Sequence, residues 1–182
     1  MALGEIMDRR TAMTGLAAAG TALLAPAQTS GCDVKELFLP HWKVSKTFTI
    51  NVLEVMPAAD FDFKPNPAQM SFGQLFKHLG YFNSFLLAIA KGEKTPFTPV
   101  RAADKVEKDE ARKYLIETFD YSIKQLEQIT AQEVNQRRQV FPGLEHTGAE
   151  LILRAYMHTA HHRGQAEVYL RVKGLQPPRF EF

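Results

Sequence analysis

The sequence predicts an all-α protein, a four-helix bundle, and three features of its 182 residues carry that reading. Apolar residues recur at three- and four-residue spacing in four separate segments. Two of the segments open on capping boxes, two close on glycine, and the connections between them are rich in proline. No segment alternates as a strand would, and no internal repeat is visible.

Helix one is expected near residues 33 to 56, where Leu37, Val44, Phe48, Val52 and Val55 share a face and Met56-Pro57 stops the run. Pro40 lies inside it or at its first turn. Residues 57 to 70 hold three prolines among Asp60, Asp62 and Asn66, a composition for turns. Ser71 with Gln74 then makes a capping box for helix two, about 72 to 91, whose apolar side carries Leu75, His78, Phe82, Phe85, Leu86 and Ile89. Lys91-Gly92 ends it.

The proline-containing connection 92 to 103 is long enough for the next helix to run parallel to the last. Helix three, about 104 to 131, presents Val106, Ala111, Tyr114, Leu115, Phe119, Ser122, Leu126 and Ile129, with charges on its outer side. A Phe141-Pro142-Gly143 turn follows. Thr147 with Glu150 caps helix four, which ends at Lys173-Gly174 before Pro177-Pro178.

Composition suits one soluble globular domain, at 45% hydrophobic and 23% charged residues. The formal charge is only +2, and no cluster of lysine and arginine interleaved with aromatics occurs, which argues against nucleic acid as a partner. The first residues read differently from the rest. Arg9-Arg10, an Ala/Gly-rich stretch from Gly15 to Leu24, and Ala25-Pro26-Ala27 follow the order of an export signal of twin-arginine type, with Met7 as an alternative start. Residues 1–27 are therefore expected to be a signal segment, 28–35 a linker and 36–178 the bundle. That organisation implies an exported, extracytoplasmic or periplasmic protein. The single cysteine, Cys32, follows Thr-Ser-Gly and offers lipid anchoring as an alternative.

Three of the six histidines fall within His158-Thr-Ala-His-His162. Residues four apart on a helix lie one above the other, so His158 and His162 can aim at one point, on the face of Leu151, Ala155, Ala166 and Tyr169. Two imidazoles on an apolar face leave ring nitrogens without partners. A divalent ion would accept one nitrogen from each, and His78 on helix two could add a third, leaving a position open for water or substrate. His161 lies about 100° round the helix, on the stripe of Arg154, and is placed outside the ligand set. Thr159 stands where zincin metalloproteases carry their catalytic glutamate, which excludes that class.

The stretch His158-Thr-Ala-His-His-Arg-Gly-Gln165, continued by the Tyr-Leu-Arg run and ending at Pro178, resembles the DinB-like family of metal-binding bundles. Pro65-Asn-Pro-Ala-Gln-Met-Ser71, followed by a single histidine at 78, matches that family's other landmark, and the likeness spans residues 36 to 178. The resemblance implies an up-down-down-up bundle, His78, His158 and His162 as ligands of a divalent metal (zinc or nickel foremost, iron or copper otherwise), and a possible homodimer. It also implies a metal-dependent enzyme acting on a small molecule, a hydrolase or a thiol-dependent transferase. The opposing reading is a binding or scaffold protein in which the metal staples helix two to helix four. Within the motif, Gly164 suggests close approach of another helix, Arg163 a salt bridge, and Gln165 a side chain holding one imidazole in its tautomer. Glu167 faces away from the pair, and no general base is evident.

Overall fold

The computed structural model describes residues 33–180; the expected signal segment 1–27, most of the linker and Cys32 lie outside them. Four long helices appear where the periodicity puts them: α1 Val34–Val55, α2 Phe72–Lys91, α3 Lys108–Gln128 and, after a short α4 Ala131–Asn135 and two strands, α5 Gly148–Val172. The α1 helix starts two residues before the expected domain boundary, because the Asp33 carboxylate accepts the Lys35 N–H and caps its first turn. It runs through Pro40, which gives up the backbone donor a helix interior normally uses.

Both expected capping boxes form. The Ser71 hydroxyl accepts the Gln74 N–H while the Gln74 amide accepts the Ser71 N–H, and Thr147 with Glu150 does the same at α5. Gln74 is used twice, since its Nε2 also donates to the carbonyls of Ala102 and Asp104. That anchor keeps 104–107 as loop, so α3 begins four residues later than its sequence pattern suggests. Gly92 closes α2 in the left-handed region, at φ 77°, where its N–H and that of Glu93 return to the last turn.

Side-chain contacts set the direction of each neighbouring pair. Lys35 reaches the carbonyl of Glu127 while Lys108 reaches that of Glu54, so α1 and α3 are antiparallel. Lys77 pairs with Glu110 and Lys91 with the carbonyl of Gln128, so α2 and α3 run parallel. Phe72 meets Tyr169 and Asn83 meets Thr159, which makes α2 and α5 antiparallel. Phe38 touches Tyr156 and Ser45 touches Arg163, which makes α1 and α5 parallel. Taken together, α1 and α5 run one way and α2 and α3 the other.

The core is built from Trp42, Phe48, Val52 and Leu53 of α1, Phe72, Phe76, Leu79 and Leu87 of α2, Leu115 and Phe119 of α3, and Leu151, Ile152 and Leu170 of α5. The face of α1 is rotated from the expected one. Leu37 is 47% exposed, and Trp42, absent from the expected stripe, is fully buried.

The connection from α3 to α5 corrects the expectation that the chain has no strands. Arg137–Phe141 (β1) and Leu144–Thr147 (β2) pair antiparallel, with Pro142 and Gly143 as the turn and Gly143 at φ 76°. A third capping box, Thr130 with Glu133, starts the short α4 before them. Arg138 donates to the carbonyl of Ala90, and Lys91 pairs with Glu133, so this crossover is tied to the last turn of α2. No helix among the described residues is long and apolar enough to cross a membrane.

Candidate metal centre

Helices α2 and α5, packed antiparallel, bring three histidines from 80 residues apart in sequence to one place. His78 and His158 approach with their Nε2 atoms 3.2 Å apart, and His162 lies one turn further along α5. Ring centroids are separated by 5.1 Å (78 and 158), 4.7 Å (78 and 162) and 4.3 Å (158 and 162). One ligand atom from each ring falls within 4.8 Å of the others, and this is the set named from the sequence.

Burial decides the charge state of these rings. Removal from water pushes His158 down to about 3, helped by its histidine neighbours, and His162 down to about 4 against the opposing effect of its hydrogen bond to Gln165. His78 is lowered for the same reason, desolvation. All three are therefore neutral near pH 7, the form in which imidazole offers a lone pair to a metal.

Hydrogen bonds assign the lone pairs in part. His162 Nδ1 lies 2.7 Å from Gln165 Oε1, and since an amide oxygen only accepts, Nδ1 carries the proton and Nε2 is bare. The facing Nε2 atoms of His78 and His158 can satisfy one another only if one of them is protonated. In either arrangement the buried Nδ1 of His158 has no partner among the described residues. A divalent cation fits the donor set: Zn–N bonds of about 2.0–2.1 Å at tetrahedral angles set adjacent nitrogens roughly 3.3–3.4 Å apart.

The neighbours of the cluster fall out as follows. Phe82 stacks on His158, with centroids 4.5 Å apart and planes at 25°, and fixes that ring from the α2 side. Gln165 takes the position expected of it and also approaches the Nε2 of the exposed His161, 3.1 Å away. His161 thus stays outside the cluster. Thr159 is buried and accepts from Asn83 Nδ2 at 2.7 Å, which gives Asn83 a structural place. Arg163 turns to α1, where it donates to Ser45 Oγ and lies over Phe48 at 4.3 Å. Glu167 pairs with Arg171.

Gly164 corrects an expectation. A Cβ built there meets nothing within 4 Å among the described residues, so none of the described helices approaches it closely. The glycines that do serve packing are Gly73, where a Cβ would press on the carbonyl of Val106, and Gly80, where it would meet the Thr118 hydroxyl. Nothing in the fold explains Gly164.

The sequence reading also missed a groove of about 500 Å³ beside His158. Phe82 and Leu86 of α2 form one wall, Val140, Phe141 and Leu144 of the hairpin another, and Leu153 and Met157 of α5 the third. His146, Glu150 and Arg154 supply its polar groups, and His158 stands at its margin. The available signal was Pro142-Gly143 between Arg138-Gln-Val-Phe141 and Leu144-Glu-His-Thr147, a turn dipeptide flanked by short, partly alternating runs.

Known proteins share this fold. The chain is 28% identical over 139 residues to the uncharacterized protein YjoA of Bacillus subtilis, a match covering 74% of this chain and 87% of that protein. The crystal structure of YjoA, a DinB-like protein, superposes with a TM-score of 0.64 at 23% identity, over 79% of this chain and 96% of that one. A DinB-like protein from Bacillus cereus gives a TM-score of 0.69 at 18% identity, over 80% and 97%. The sequence pattern of the DinB superfamily matches residues 46–166, which include all three clustered histidines. The chain therefore belongs to the DinB superfamily.

Proposed function

We propose that the chain binds one divalent metal ion through His78, His158 and His162 and uses it as an enzyme acting on a small molecule. The observation that carries this is the convergence of three neutral imidazoles within 4.8 Å, one with its Nε2 left bare by Gln165 and two with their Nε2 atoms facing each other at 3.2 Å. Family membership is compatible with it. When bound, such an ion lowers the pKa of a coordinated water, or holds a thiolate as nucleophile, so the reaction is hydrolysis or thiol-dependent transfer. Zinc or nickel suits three imidazoles, with iron or copper as further options.

The chain's own residues would do the positioning. Gln165 keeps the proton on His162 Nδ1, Phe82 holds the plane of His158, and the Asn83–Thr159 bond ties α2 to α5 close by. The groove at His158 would receive the apolar part of a substrate. An exported location, set by residues 1–27, and a homodimeric state belong to the same proposal.

A second reading, a structural staple, is favoured by the fact that the rings come from two different helices. The test is elemental analysis of purified protein and of His158→Ala, with helicity and turnover of ester, amide and thiol-conjugation substrates measured alongside. Near-stoichiometric metal, lost in the variant with helicity kept and activity gone, supports the enzyme. Loss of fold with the metal supports the staple, and metal unaffected by the substitution refutes both.

A further inference from the structure

Large apolar side chains cluster on one part of the described surface. Of its eight exposed large hydrophobics, Phe141, Leu144, Leu153 and Met157 all line the groove, so half of that exposure is concentrated at one concavity. Apolar surface concentrated at one concavity marks a binding site.

The charges of the groove say what kind of ligand. Its carboxylate, Glu150, is already committed: it accepts the Thr147 N–H at 2.7 Å and the Thr147 hydroxyl at 3.0 Å, and lies 3.7 Å from His146 Nδ1. Its guanidinium, Arg154, makes no ion pair or hydrogen bond with any described residue. Arg154 also stands one helical turn before His158, so the two side chains are neighbours on α5. The groove therefore offers apolar walls and one unneutralised cation, adjacent to the histidine cluster.

We propose that this groove binds a small carboxylic acid with an apolar body, the body lying between the hairpin and α5 and the carboxylate paired with Arg154. Binding stands on the groove itself; only the fate of the acid rests on the metal reading above. A guanidinium–carboxylate pair is charge-assisted and can be bidentate, and it selects an acid over an equally apolar amine.

The test compares 4-phenylbutyrate with 4-phenylbutan-1-ol and 4-phenylbutylamine, which share a body and differ in charge. Each is titrated calorimetrically into the full chain, chelator-stripped and zinc-loaded, with metal content read on the same samples. The acid is expected to bind about tenfold or more tighter than the amine in both forms. Arg154→Gln brings the acid to the level of the alcohol, and Leu144→Asp weakens all three; both keep their zinc. Equal binding of acid and amine, no binding of any probe, or an acid preference that survives Arg154→Gln overturns the proposal. An acid preference found only in the zinc-loaded form and untouched by Arg154→Gln also overturns it, since the metal would then hold the carboxylate. Zinc retained in His158→Ala, with the acid preference intact, defeats the metal reading alone.

Discussion

Adjacent residues of α5 put nitrogen-rich side chains into the bundle on two different sides, with opposite outcomes. Arg163 faces α1, where Ser45 accepts from its guanidinium and the Phe48 ring lies beneath it at 4.3 Å. His162 faces α2, where the histidines have mainly one another and His158 Nδ1 has no partner among the described residues. The first is a polar group the fold has provided for, as buried polar groups usually are. The second is a set of neutral imidazoles brought together with ring nitrogens still to offer, and that difference separates a structural contact from a candidate site.

Acid should divide the two sides most sharply. The folded-state pKa values of His158 and His162 are depressed to about 3 and about 4, below the ordinary 6.5, so the unfolded chain binds more protons across that interval. Their contribution to stability is complete above pH 6.5 and is lost as pH falls toward about 3. Metal-free protein melted across this range should lose stability with falling pH, and a variant with His158 and His162 replaced by glutamine should show a flatter profile. Bound metal should be released over the same descent, because protons and metal compete for the same lone pairs. Arg163 keeps its charge throughout and adds no such slope.

Next in size is Gln165→Ala, which frees the Nδ1 proton of His162 without removing a ligand. Metal affinity, measured by competition with a chelator, should fall about 10- to 100-fold. An unchanged affinity would make Gln165 a bystander. Arg163→Met should act the other way round. Loss of the guanidinium leaves Ser45 short of a donor and costs about 1–3 kcal/mol in denaturant unfolding, with metal stoichiometry unchanged. A drop in metal content there would erase the distinction between the two sides.

These sites were unequally legible in the sequence. The starts of α2 and α5 were readable because Ser71 with Gln74 and Thr147 with Glu150 act within three residues, so their chemistry is local. The histidine pair was readable for the same reason, since a spacing of four sets a shared direction on any helix. His78 was reached through its apolar face and the resemblance, and its contact depends on tertiary packing. The hairpin was hidden because its strands are only five and four residues long, and the inward positions of β1 are Arg138 and Val140, so its alternation in burial does not appear as an alternation of apolar residues. Without the hairpin the groove could not be foreseen. Leu37 and Trp42 show the same limit: periodicity finds a face of α1 but leaves its rotation toward the partners to packing.

Gly164 sets the smallest effect. Its site is open and helical, so Gly164→Ala should stabilise the protein by about 0.5–1 kcal/mol, read as a rise in unfolding midpoint. Destabilisation would mean that something outside the described fold needs the bare backbone.

The central claim is that three imidazoles share one cation, and anomalous diffraction from crystals of the zinc-loaded protein tests it most directly. The account predicts one strong peak at about 2.0–2.1 Å from nitrogens of His78, His158 and His162 together. A protein that carries stoichiometric zinc with its peak elsewhere, or with only two of the three rings bound, would contradict it.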